Sequence, residues 1–227
     1  MQASGVPPPP LPYAVAADLQ ETIANLMKLG VDFDTAGLYA IFLPDVAAAH
    51  MRALRQDLRL AHYTSAENAM KIADGKVLWL RSVKDMNDFT EVEHGAKSVQ
   101  LALNCDAGRA LVSALKHIDN QVADAVTSAA DELLPSLYQN VFIACLSEHR
   151  PTCPTESKYG RLSMWRAYAK EHGVANMKPM RTVTDHFDAY SLPVLYAEQQ
   201  EVVRKIGSIA EAINTNRQFL AQLVLRV

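Results

Sequence analysis

Leu58, Leu60 and His62 alternate with Arg59, Ala61 and Tyr63, so the stretch ending at Thr64 has the two-residue period of a strand with one buried face. What precedes it has another period. Val15, Leu19, Ile23, Leu26 and Met27 recur at helical spacing, with Gly30 placed to stop that helix. Val46, Ala49, Met51, Leu54 and Leu58 repeat the pattern in a second tract from about Pro44 to Asp57. A chain that changes period here must join helices to a sheet, which points to the α+β class.

The strand leads into SAENAMKIAD, a helix that Ser65 or Thr64 can cap and Gly75 can end, and then into KVLWLRS, a second strand. From Phe89 to Leu103 the helical period returns at Val92, Ala96, Val99 and Leu103. Two more helices are expected from about Ala107 to Lys116 and from Asn120 to Leu134, closed by Pro135. QNVFIACLS reads as an apolar strand, RLSMWRAYAKEH as a helix stopped by Gly173, and SLPVLYA as one more strand. The segment after Gly173 lacks an apolar strand pattern. EQQEVVRKIGSIAEAINTNRQFLAQLVLRV is an amphipathic helix or helix pair. The expected division is a proline-rich tail over 1–13, a helical N-terminal extension over 14–57, an α+β core over 58–200, and a C-terminal helix over 201–227 packed on that core.

Composition removes several classes of function. A formal net charge of −3 offers no basic excess for a phosphate backbone, so general nucleic-acid binding is not expected. The apolar runs fall far short of the roughly 20 residues of a membrane-spanning helix. The N-terminus lacks the charged start and apolar core of a secretion signal, which makes a cytoplasmic protein the expectation. Three cysteines without CxxC spacing argue against a disulfide framework and a zinc knuckle, and no metal is expected. Cys145, inside VFIACL, reads as a small buried hydrophobe, and Cys153 as a loop residue. No phosphate-binding glycine loop, HExxH or calcium loop is present, and Ser147 has no Gly-x-Ser-x-Gly elbow around it.

One ordered set of motifs stands out. It comprises His62-Tyr63-Thr64, Leu78-Trp79-Leu80, Asn87-Asp88 with Glu91, Leu146-Ser147-Glu148, Met164-Trp165-Arg166-Ala167-Tyr168, His172-Gly173-Val174 and Val194-Leu195-Tyr196. Together they resemble the signature of a widespread bacterial family of domains of unknown function, over residues 59 to 200. That family is similar in fold to the ADP-ribosyltransferases. The resemblance implies a small mixed, split β-sheet with a helical cap, a helical insert and a C-terminal helix, and a cleft that holds NAD as substrate.

The chemistry such a cleft needs is definite. Breaking the nicotinamide–ribose bond builds positive charge on the ribose, which calls for a donor to hold a ribose hydroxyl, as His62 can from one ring nitrogen while a neighbour fixes the other, an aromatic face and a carboxylate. The resemblance places His62 at the ribose and makes His62, Glu91 and Glu201 the catalytic candidates. Tyr63, Thr64, Asn87, Asp88, Ser147, Arg161, Trp165 and Tyr168 join His62 as nucleotide-binding candidates. The sequence departs from the family in one respect: no segment of the type ExEWR follows Tyr196, where Glu198 and Glu201 are the late acidic residues, so the expectation is a truncated form, a surrogate carboxylate such as Glu91, or lost catalysis.

Each candidate also has a structural reading. His62 can be a histidine satisfied inside the sheet, and Tyr63, on the opposite strand face, suits the core. Trp79 on its strand and Trp165 on its helix suit the core as well. Asn87 and Asp88 suit a turn that caps the helix after them, whereas Asp88 and Glu91 one turn apart could project two carboxylates. Arg161 can pair with a phosphate, and the Tyr168 hydroxyl needs a partner. The expected function is an NAD-binding ADP-ribosyltransferase-like domain, transferring or hydrolysing ADP-ribose as a bacterial toxin or antiphage effector, with an antitoxin or other protein partner. The alternatives are a non-catalytic ligand- or protein-binding module and a metal-dependent nuclease using Asp88 and Glu91.

Overall fold

The computed structural model describes residues 16–28, 30–55, 59–85, 89–149, 164–166, 173–177 and 194–225. The chain forms two compact units. One gathers residues 1–48, 90–137 and 194–227, and the other residues 49–89 and 138–193.

The first unit is helical. Its N-terminal elements are α1 (Ala17–Met27), α2 (Phe33–Phe42) and the start of α3 (Pro44–Arg55). Its middle elements are α5 (Phe89–Leu103), α6 (Asp106–Lys116) and α7 (Asn120–Asn140). It closes with α8 (Gln199–Thr215) and α9 (Arg217–Val224). Gly30, at φ +87°, occupies the left-handed region just after α1, where glycine carries no Cβ penalty.

The unit closes around α2 and α9. Ile23 and Leu26 of α1, Ala36, Ala40 and Ile41 of α2, Leu115 of α6, Ile213 of α8 and Phe219 of α9 are all buried in one cluster. Phe33 meets the Phe219 ring edge-on, centroids 5.5 Å apart. Gly37 lies beneath the same ring, where an added Cβ would come within 2.3 Å of its tip. The helix pairs α1–α2 and α6–α8 make the most extensive contacts.

Helix α2 is absent from the periodic reading of the sequence. Phe33, Ala36, Gly37, Ala40 and Ile41 form its buried stripe, but Leu38, Tyr39 and Phe42 make the opposite side apolar too, so hydropathy offers no contrast from which to read a period. Its start is signalled instead by Asp32, whose carboxylate accepts the Thr35 N–H at 2.9 Å. Helix α7 also differs, since it runs through Pro135 to Asn140. The ring deprives the carbonyl of Asp131 of its donor, and Asp131 is exposed, so water can take that place.

The second unit holds the strands. β1 (Arg59–Thr64) is central, with β4 (Ser147–His149) on one side and β5 (Gly173–Met177) on the other, both antiparallel. A separate ribbon pairs β2 (Arg81–Ser82) with β3 (Phe142–Ile143), also antiparallel. The architecture is therefore α+β and helix-rich, with two small, separate antiparallel sheets. The expected parallel component of a mixed sheet is not present among the described strands.

Several strand boundaries move for one reason, that a ladder needs a partner on each edge it uses. The apolar run over 139–147 splits between the two sheets, with residues 144–146 left in neither. KVLWLRS contributes only its last two residues, and Trp79, expected in the core, is 58% exposed. Cys145, expected to be buried, is exposed for the same reason. Residues 194–198 form no strand, and Val194, Leu195 and Tyr196 are exposed. β5 arises where no apolar pattern announced it, because the free edge of β1 supplies its hydrogen bonds.

Candidate functional site

β1 carries three of the candidates. Its pleat puts Ala61 and Tyr63 on one face, 2% and 6% exposed, and His62 and Thr64, half-buried, on the other. Tyr63 meets Trp165 edge-on, centroids 5.6 Å apart and planes 84° to one another. This pair fills the interior side of the strand, as the alternation of the sequence and the apolar mass of both rings require.

The His62 side is polar. Nδ1 of His62 lies 3.1 Å from the backbone oxygen of Cys145, in the stretch between β3 and β4. Thr64 Oγ1 accepts from the Asn68 amide at 3.5 Å, and Asn68 sits in the first turn of α4 (Ala66–Gly75), where Ser65 caps its N–H. Glu148 of β4 is paired in register with Leu60 and so shares the His62 face. Its carboxylate binds the guanidinium of Arg52 at 2.9 Å.

The same register places Ser147 opposite Ala61, on the Tyr63 side of the sheet and away from His62. The sheet thus brings together His62, Thr64 and Glu148 on one face and Tyr63, Ser147 and Trp165 on the other. Glu201 is half-buried in the first turn of α8, and Glu91 belongs to α5; both are in the helical unit. Asn87, Asp88, Arg161 and Tyr168 lie outside the described residues.

Three participants escaped the sequence reading. The Cys145 carbonyl is a backbone group, which no side-chain motif announces. Arg52 stands 96 residues from Glu148, on a helix whose period gave no reason to single it out. Asn68 was legible in principle, as the third residue after the Ser65 cap.

Chemically, the His62 face offers an oriented imidazole beside polar groups that already have partners. Its carboxylate is partly neutralised by Arg52, which weakens any field it exerts on a nearby cation. Among the described residues, no group of three or more His, Cys, Asp or Glu side chains could hold a metal ion. No described helix is long and apolar enough to cross a membrane. No protein-family model matches the chain, and no curated protein or solved structure matches it either.

Proposed function

We propose that the sheet-bearing unit binds NAD or a related nucleotide at the His62 face of β1, in the manner of an ADP-ribosyltransferase-like domain, with transfer or hydrolysis of ADP-ribose as its reaction. The observation that supports this reading is the fixed imidazole of His62, held through Nδ1 by the Cys145 carbonyl on a polar strand face. A ring oriented by one nitrogen presents the other to a ligand without first losing rotational freedom. In this reading Thr64, on the same strand face as His62, lies along the ligand, and Glu91 and Glu201 are the carboxylates whose replacement tests for catalysis. A helical N-terminal extension suits a domain that must be kept harmless, as in a toxin or antiphage effector with an antitoxin as partner.

Addition of NAD to the full chain tests it. Millimolar NAD is expected to raise the melting temperature, and His62→Ala to abolish the rise. An unchanged melting temperature in the wild type would end the proposal.

A specific observation favours a second reading, in which the same face binds a ligand without transforming it. Glu148, the carboxylate that the described register puts on the His62 face, is engaged with Arg52 rather than open to a developing ribose cation. Incubation with NAD and chromatography of the products separates the two readings. Nicotinamide release that is lost in Glu91→Gln or Glu201→Gln supports catalysis, and binding without release supports the module.

A further inference from the structure

We infer that the Cys145 carbonyl locks His62 in the Nδ1–H tautomer, so that Nε2 meets its ligand as a hydrogen-bond acceptor rather than as a donor. The inference rests on the nucleotide-binding reading and deepens it by fixing the polarity of the contact.

A carbonyl oxygen carries lone pairs and no proton. At the 3.1 Å separation of His62 Nδ1 from Cys145 O, the contact is attractive only if Nδ1 bears the hydrogen; a bare Nδ1 would set two acceptors against each other. In the neutral ring the proton on Nδ1 leaves Nε2 with a lone pair. Among the described residues the ring makes no second hydrogen bond. Its polar neighbours on the same face are committed elsewhere, the Asn68 amide to Thr64 and the Arg52 guanidinium to Glu148. A nucleotide group that meets Nε2 of the neutral ring must therefore donate, and a sugar hydroxyl is such a donor. A ligand offering only a carbonyl or ether oxygen at this point gains nothing from the neutral ring.

Two measurements decide it. Nitrogen NMR of the full chain at about pH 8, where an ordinary imidazole is neutral, is expected to show His62 protonated at Nδ1 and bare at Nε2, the signal being assigned by its disappearance in His62→Asn. An Nε2-protonated ring overturns the inference whether or not NAD binds, so this arm stands apart from the binding reading. The second arm uses the shape of asparagine, whose amide reaches the place of Nδ1 but not that of Nε2. His62→Asn is expected to keep the wild-type melting temperature while weakening NAD binding at least about tenfold. An Asn variant that binds NAD as tightly as the wild type overturns the role given to Nε2, and a wild type that ignores NAD removes the reading beneath it while leaving the tautomer to the NMR result.

Discussion

Asn216 accepts a hydrogen bond from the Ala16 backbone N–H at 3.0 Å across 200 residues of sequence, and its own amide donates to Ala212 O at 2.9 Å. One buried side chain at the junction of α8 and α9 thus holds the N-cap residue of α1. Asn216→Ala removes both bonds and leaves the Ala16 N–H without its acceptor. The expected loss is about 1–3 kcal/mol of unfolding free energy. Hydrogen exchange provides the local check, since the Ala16 amide should exchange faster in the variant while amides in α6 change less.

Gly37 and Phe219 form a second such relationship. An alanine methyl at position 37 would overlap a ring that is wholly buried and already set edge-on to Phe33, so the ring has no free direction in which to yield. Gly37→Ala is expected to destabilise by about 1–3 kcal/mol despite its better helix propensity. Combining it with Phe219→Leu should cost less than the sum of the single changes, because the second removes the obstacle met by the first. Strict additivity in a denaturant-melt cycle would show that the two residues do not meet.

Lys76 reverses the usual sign of a glycine substitution. The sequence pointed to Gly75 as the terminator of α4, yet Gly75 is the last helical residue and Lys76, at φ 52°, takes the left-handed position after it. A lysine there bears the crowding of its Cβ against the backbone. Lys76→Gly is expected to stabilise by roughly 0.5–1 kcal/mol, the relief of strain being partly offset by the greater freedom of glycine in the unfolded chain. A lower urea midpoint in the variant would contradict this.

The contrast between α5 and the strand around Trp79 shows where the sequence was readable. Val92, Ala96 and Val99 repeat every three or four residues, and the helix appears over Phe89–Leu103 because its hydrogen bonds lie within itself. KVLWLRS has strand composition, but its ladder depends on Phe142 and Ile143, which offer two residues of edge and no more. β5 is the converse case, a segment of weak pattern recruited by the edge of β1. The candidate site divides in the same way. The alternation of His62 and Tyr63 forecast their opposite faces, whereas the Cys145 carbonyl and the Arg52–Glu148 pair depend on tertiary approach and left no local trace.

Asp32 gives α2 a pH-dependent start. The Thr35 backbone N–H, followed by the Thr35 hydroxyl, holds its carboxyl below the usual carboxylate range. A folded-state value depressed below the unfolded one means stability that is present above the unfolded pKa and fades as pH falls through the folded one. Asp32→Ala should therefore lower stability by about 0.5–2 kcal/mol near neutrality, as loss of an N-cap does. The gap between wild type and variant should begin to close below about pH 4 and vanish once the carboxyl is protonated in both states. Paired thermal melts across that range check it, and a gap that stays constant into acid would show that the charge on Asp32 contributes nothing to the cap.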